Sequence, residues 1–293
     1  MICWDTLRHL LKSMFTLSPS NIALFLITST AWFFGVQELA ATVTHLNTDW
    51  YWYVLATLYT VTINELFGHL ICSHYLFKIN TKSITYKILT FLITVDHANG
   101  PLTNICINHE NHHQQTDKPG KDNLYFPWHW FTVCSLSPLV FLYQRPTDYH
   151  NRENYVDNQS ITHADILNDD WTFFCEEFKI PLTLLYWTIL LLILPVFLFK
   201  VVFMGRVIIG LITFLTTSLG HNKILGYRHE EVNNNSTNRI ILHYLIGCGL
   251  FSSLLHNNHH TYHWIDQQSH GYRWYEIDLG SYVIKLLRLG MTK

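Results

Sequence analysis

Nineteen histidines stand in this chain against nineteen Lys and Arg together, and eight of them fall into three short patterns. His69 and His74 form H-x4-H. His109, His112 and His113 form H-x-x-H-H, and His256, His259 and His260 repeat that spacing. On an α-helix, positions i, i+3 and i+4 lie within an arc of roughly 100°, so each triplet can aim three imidazoles at one point. Positions i and i+5 lie about 140° apart, so His69 and His74 are expected either to serve two different metals or to sit where a helix ends. Imidazole is a ligand for Fe, Zn, Cu and Ni, and a neutral all-nitrogen set with room for oxygen is compatible with non-haem iron. The eight together suit a dinuclear centre. Isolated histidines such as His9, His45 and His150 read as ordinary surface or core residues.

The elements that must position these boxes are apolar. Of 293 residues, 49% are hydrophobic, 15% aromatic and only 14% charged, which points to a membrane protein. Four stretches approach the roughly 20 apolar residues needed to cross a bilayer, at about 21–40, 50–69, 180–199 and 201–220. Pro195 and the Lys200 region mark the reversal between the last two. Hydropathy leaves 83–107, 125–144 and 238–255 ambiguous. The three boxes share one side only with four spans and no further crossing, so these stretches are expected on the interface or in a cap built from 70–179 and 221–293. All of the 19 Lys and Arg except Lys200 and Arg206 then fall on the histidine-bearing side. The positive-inside rule places that side, with both termini, in the cytoplasm. The expectation is one domain over 1–293: an all-α, multi-pass integral membrane protein of a bacterial inner membrane or the endoplasmic reticulum. Four transmembrane helices carry a cytoplasmic helical cap that holds a histidine-rich di-metal site.

Other features narrow the class. A net charge of -2 gives no reason to expect nucleic acid. The six Cys are scattered without a C-x-x-C, as free thiols would be. Arg8 and Lys12 precede what reads as a retained first span, with no cleavable signal peptide. Glu65 and Arg206 are intramembrane charges and so functional candidates; Glu65, one turn before His69, is placed to orient that imidazole. Trp50, Tyr51, Trp52, Tyr53, Trp128 and Trp130 read as interfacial aromatics. The polar stretches 145–170 and 229–239 read as loops.

Longer runs of residues then meet a family. Gly68-His69-Leu70-Ile71-Cys72-Ser73-His74 has a Ser before its second His. Gly100-Pro101 precedes the second box, and Thr116-Asp117-Lys118-Pro119-Gly120-Lys121-Asp122 follows it. Asp165-Ile166-Leu167-x-Asp169 leads to Pro181, Ser218-Leu219-Gly220-His221 to Gly226-Tyr227-Arg228, and the tail reads Gly271-Tyr272-Arg273-Trp274-Tyr275-Glu276-Ile277-Asp278. From roughly Gly68 to Gly290 the chain resembles the membrane fatty acid desaturases of the Δ9 acyl-CoA or acyl-lipid type. The resemblance implies that His69, His74, His109, His112, His113, His221, His256, His259 and His260 hold two irons, with O2 as co-substrate reduced to water. It also implies a fatty acyl substrate carried on CoA, lipid or carrier protein. No H-P-G-G of a cytochrome b5 domain and no G-x-G-x-x-G is present, so electrons are expected from a separate ferredoxin or cytochrome b5 with its reductase.

The chain departs from the family pattern at several positions. Thr217 stands where the family has an Asn, Thr103-Asn104 replaces Glu-Trp, Asp170 replaces a Pro, Glu110 replaces an Arg, and His263 replaces a Pro. With Glu65 and Arg228, the residues Asn104, Glu110, Thr217 and His263 are candidates for contacts around the metals or the substrate head group. Hydroxylation or acetylenation of an acyl chain could run on the same site. From another class, His109-Glu110-Asn111-His112-His113 satisfies H-E-x-x-H, in which His109 and His113 would bind zinc and Glu110 act as the base of a membrane metallopeptidase. A non-enzymatic haem or metal binder, or a lipid-binding paralogue without turnover, completes the alternatives.

Overall fold

The computed structural model describes residues 19–96, 102–118, 122, 164–193, 196–216, 220–221, 226–228, 234–262 and 270–292. Nearly all regular structure among them is helical. There is no strand among the described residues, only isolated bridges pairing Tyr227 with Asn238 and Asn238 with Leu255. The all-α expectation holds at this level.

Helix α1 (Pro19–Thr44) is followed by α2 (Leu46–Thr60), which runs without a break into a π-helix, Val61–Ser73. Among the described residues, the rod from Asp49 to Ser73 is the one helix long and apolar enough to cross a membrane. Then come α3 (Ile84–Asp96), α4 (Leu102–Gln115), the short α5 (Ala164–Leu167) and α6 (Asp170–Glu177), α7 (Lys179–Ile193) and α8 (Val196–Phe214). The remaining helices are α9 (Ile240–Leu245), α10 (His256–Tyr262) and α11 (Gly280–Met291), with a 3-10 turn at Ser252–Leu254. The apolar stretches near 21–40, 180–199 and 201–220 are thus carried by α1, α7 and α8. Because α8 already begins at Val196, Lys200 lies one turn inside it, its Nζ 3.2 Å from Glu38 Oε2 on α1. The ambiguous stretch 83–107 became α3 and the start of α4, and 238–255 became α9 and the 3-10 turn. The stretch 125–144, with Trp128 and Trp130, lies outside the described residues.

Packing is closest where side chains are smallest. Helix α8 packs against both α1 and α2. A Cβ on Gly35 of α1 would collide with the Phe203 carbonyl of α8, and one on Gly205 of α8 would collide with the Thr60 hydroxyl of α2; only glycine lets these backbones approach so closely. Leu66, Phe67 and Leu70 of the rod and Met204, Ile208 and Ile212 of α8 belong to one buried apolar core. Beside it Trp187 of α7 stacks on Phe203 with ring centroids 5.3 Å apart. Arg206 lies over the Trp187 ring, 4.6 Å from its centroid, and its Nη2 donates to Val95 O at 3.4 Å. That places a cation at the C-terminal carbonyls of α3, where the helix dipole favours it.

Two features prepare the position of the histidines. In the π-helix, i to i+5 hydrogen bonding sets residue i+5 close to one turn beyond residue i. Ser73 Oγ accordingly donates to Gly68 O, five residues back, at 2.9 Å. Helix α4, which carries the second box, is held at its start by Glu176 of α6, whose carboxylate accepts from Thr103 N at 3.0 Å and Thr103 Oγ1 at 2.9 Å. A carboxylate at a helix N-terminus satisfies open N–H groups and meets the positive end of the dipole. Helix α6 is capped in turn by Asp169, which accepts from Thr172 N at 2.9 Å.

Candidate metal centre

The nine histidines gather into two adjoining sets. His69, His74, His109 and His259 have ligand nitrogens within 4.8 Å of one another, and so do His112, His221, His256 and His260. His113 joins the first set, its Nε2 2.9 Å from that of His109 and 3.0 Å from that of His259, while its ring lies 4.4 Å from the His260 ring, centroid to centroid.

The boxes do not each serve one point, as their spacing alone suggests. His109 and His113, at i and i+4, face the first set, and His112, at i+3, faces the second. Box three mirrors this arrangement: His256 and His260 belong to the second set and His259 to the first. Two helices lying side by side along a pair of sites produce this exchange, because i+3 and i+4 lie on opposite flanks of the line through i. Of the two expectations for His69 and His74, the helix end is the one met, and both rings fall in one set. The wide π turn and the position of His74 at its C-cap bring both into the first set.

Hydrogen bonding among the imidazoles cannot account for this convergence. His109 Nε2 lies 2.8 Å from Nε2 of His69, 2.8 Å from Nε2 of His74 and 2.9 Å from Nε2 of His113. A ring nitrogen carries one proton or one lone pair and can satisfy one of these neighbours. His256 Nε2 likewise lies 2.8 Å from His221 Nε2 and 3.2 Å from His260 Nε2. Acceptors behind the rings settle which atom faces inward. His69 Nδ1 is 2.8 Å from Glu65 Oε2, His112 Nδ1 is 3.0 Å from both Asp122 oxygens, and His221 Nδ1 is 3.1 Å from Asp117 Oδ1. His256 Nδ1 lies 3.2 Å from Ser253 O. A proton held at Nδ1 leaves a lone pair at Nε2, as in ligating histidines generally. Converging lone pairs repel one another, and a cation between them turns that repulsion into coordination. The residues present therefore fit a pair of metal ions.

Burial disfavours the charged form of four of the rings, His112, His256, His259 and His260. Desolvation holds His256, His259 and His260 well below the usual imidazole range, and the neighbouring imidazoles push them further down. His112 is also lowered by burial, against the opposing pull of Asp122. For Asp117, burial works to raise the carboxyl, but the adjacent His221, the Asn235 N–H and His112 together hold it below its usual value. For a histidine lowered in the folded state, the unfolded chain takes up protons first, so this contribution is present above about pH 6.5 and fades as pH falls below it. The metal-free chain is expected to lose thermal stability as pH drops from 7 toward 5, and the loaded chain to release metal over the same interval. A melting series and metal analysis across that range check both.

Box three is held by amides and carboxylates from distant loops. Asn238 Oδ1 accepts from Asn257 N at 2.9 Å and Asn258 N at 3.1 Å, capping the first turn of α10. Asn258 Nδ2 donates to His270 O at 2.8 Å and Glu276 Oε2 at 3.1 Å. Glu276 also accepts from Tyr227 Oη at 2.6 Å, and Asp278 from His270 N at 2.9 Å and Ser252 Oγ at 2.7 Å. The tail from 270 to 278 is thus a strap across the third box. Close to it, a Cβ on Gly220 would collide with the Thr216 carbonyl oxygen and stand 2.9 Å from His256 Cδ2. Gly220→Ala is expected to cost about 1–3 kcal/mol, as overpacking does, and to lower metal content through His221 and His256. Thermal melting and metal analysis measure the two effects.

The other candidates fall variously. Glu65 contacts His69 as above and also accepts from Ser253 N at 2.8 Å, joining the Asp49–Ser73 rod to box three. Glu110 Oε1 accepts from Gln114 Nε2 at 3.3 Å, one turn along the same helix. Arg228 Nη1 donates to Asn234 O at 2.9 Å. Asn104 lies in α4, but its side chain, like Thr217 and His263, lies outside the described residues. Sequence reasoning missed the orienting roles of Asp117 and Asp122, and it gave no role to Ser253, Asn238, Asn258 or His270. The two aspartates flank the end of the box-two helix, and Asp117 adopts φ 60°, a left-handed conformation Asp tolerates, that ends the helix there. An acidic residue just past a histidine box was the available signal.

Fold and site together define a helical protein with two adjoining histidine sets, each able to hold a metal ion. No protein-family model matches the chain, and no curated protein matches it.

Proposed function

We propose that this chain is a non-haem di-iron fatty acyl desaturase, held in the membrane by four spans with its histidine site on the cytoplasmic side. The observation that carries the reading is the convergence of nine imidazoles in two sets, with a carboxylate oxygen within 3.1 Å of Nδ1 on three of them, His69, His112 and His221. Two irons bound there supply, with O2 and two external electrons, an oxidant able to take hydrogen from adjacent unactivated methylenes. Imidazole donors with outer carboxylates suit that metal.

The chain's own residues do the rest. Glu65 and Asp122 keep His69 and His112 in the tautomer that offers Nε2 inward, and Asp117 sets a negative charge 3.1 Å behind Nδ1 of His221. Leu66, Phe67, Leu70 and Leu254 are buried around the boxes and exclude bulk water. The apolar helices provide the environment for an acyl chain, whose reacting carbons would have to be held next to the two histidine sets. Electrons come from a separate ferredoxin or cytochrome b5 docking on the cytoplasmic face. The acyl carrier is CoA, lipid or carrier protein, and hydroxylation and acetylenation differ from desaturation only after the first hydrogen is removed.

Expression in cells whose lipids are saturated tests the reading. A new double bond is expected in the acyl chains of aerobic, iron-replete cells and none in anaerobic ones; iron-loaded protein with no new double bond under air would refute it. Glu110→Gln is expected to keep both iron and activity in the same assay, because its carboxylate pairs along α4 with Gln114. Loss of turnover with metal retained would give Glu110 the role of a base.

A further inference from the structure

We infer that His270 is the positioning residue of His259. It lies outside the three boxes and the nine inward-facing histidines, yet it is buried beside them. His259 Nδ1 is 3.4 Å from His270 Nε2, with ring centroids 5.1 Å apart. This is the position that Glu65, Asp122 and Asp117 occupy behind His69, His112 and His221.

His270 is not there by loose packing. Its N–H donates to Asp278 Oδ2 at 2.9 Å and its carbonyl accepts from Asn258 Nδ2 at 2.8 Å. Asn258 immediately precedes His259 and is itself tied to Asn238 and Glu276. Ligand and positioner therefore hang from one buried network, which fixes the distance between their rings. The consequence for the site is specific. His259 is the box-three member of the first set, and its Nε2 meets His113 Nε2 at 3.0 Å. A turn of its ring would carry Nε2 away from that set. His270 accepts the Nδ1 proton and blocks the turn, and it does so without adding negative charge. The tail segment thus reaches the metal site through one side chain, in addition to strapping α10 in place.

The inference rests on the di-iron reading, and the experiment separates the two. Full-length chain in detergent is loaded with 57Fe2+ and its iron retention is measured against a chelator series, alongside Mössbauer spectra. Wild-type chain that retains no iron refutes the di-iron reading before any variant is compared. With His270→Phe, half-release is expected at about 10–100-fold lower chelator concentration, with a change in one of the two iron signals and an unchanged circular dichroism spectrum. His270→Gln, whose amide oxygen can take the same proton, is expected to recover most of the loss. If the Phe variant does not fold, His270→Asn, too short to reach Nδ1, takes its place in the comparison. Wild-type retention and spectra in the Phe or Asn variant overturn the inference, and so does an equal loss in the Gln variant, which would mark mere packing.

Discussion

His109→Ala is expected to reduce turnover by more than about 100-fold, beyond the 10–100-fold usual for removing an outer partner of a ligand, and to strip iron from the chain. No other imidazole nitrogen among the described contacts faces so many neighbours: His109 Nε2 lies 2.8–2.9 Å from those of His69, His74 and His113. It stands where box one, on the π-helix, meets box two, on α4. Its removal leaves His69 and His74 linked to the second box only through the remaining members of the set. Helix α4 itself should survive, because Ala has a higher helix propensity than His and the cap from Glu176 lies two turns away. Helical content should therefore be close to wild type while iron content falls, and circular dichroism with metal analysis on the same preparation separates the two. A variant that unfolded outright would show that His109 acts chiefly in packing.

Replacing Glu65 is expected to have the next largest effect, and the conservative change should be nearly as damaging as the drastic one. The Glu65 carboxylate does two things at once: Oε2 accepts from His69 Nδ1 and Oε1 accepts from Ser253 N, both at 2.8 Å. Glu65→Gln keeps the shape but has one acceptor oxygen. Its NH2 must then face either the Ser253 N–H or the His69 Nδ1, and in the second case His69 is forced to carry its proton on Nε2, the wrong side for a ligand. Loss of the orienting acceptor costs about 10–100-fold in metal affinity, and a buried N–H left unsatisfied costs about 1–3 kcal/mol. Glu65→Ala pays both penalties and adds a cavity. Chelator competition and thermal melting on both variants measure the effects. Wild-type metal affinity in Glu65→Gln would show that His69 is oriented by something else.

Much of the centre was legible in the sequence because it is written in spacing. Two H-x-x-H-H boxes and an H-x4-H among apolar stretches do not need the fold to be noticed, and Glu65 follows from the helical repeat one turn before His69. Which imidazole joins which set was not legible. The exchange of His112 and His259 between sets depends on how α4 and α10 lie relative to each other, and no local pattern encodes that. The joint service of His69 and His74 depends on a π-helix, whose sequence, Val61 to Ser73, carries no propensity signal that distinguishes it from an α-helix. Asp117, Asp122 and His270 were hidden for a different reason: a single acid or histidine in a loop is ordinarily a solvated side chain, and only the fold brings it behind a ring. Of the fold, the helical class and the apolar stretches were read from composition and hydropathy. The division of 83–107 into α3 and α4 was not, since one apolar run gives no sign of where a helix ends.

Metal analysis of the purified, full-length chain after reconstitution with ferrous iron tests the di-iron proposal most directly. Two irons per chain are expected, both lost together with the O2-dependent product when His109 is replaced. One zinc per chain, held with iron excluded and with turnover dependent on Glu110, would contradict it.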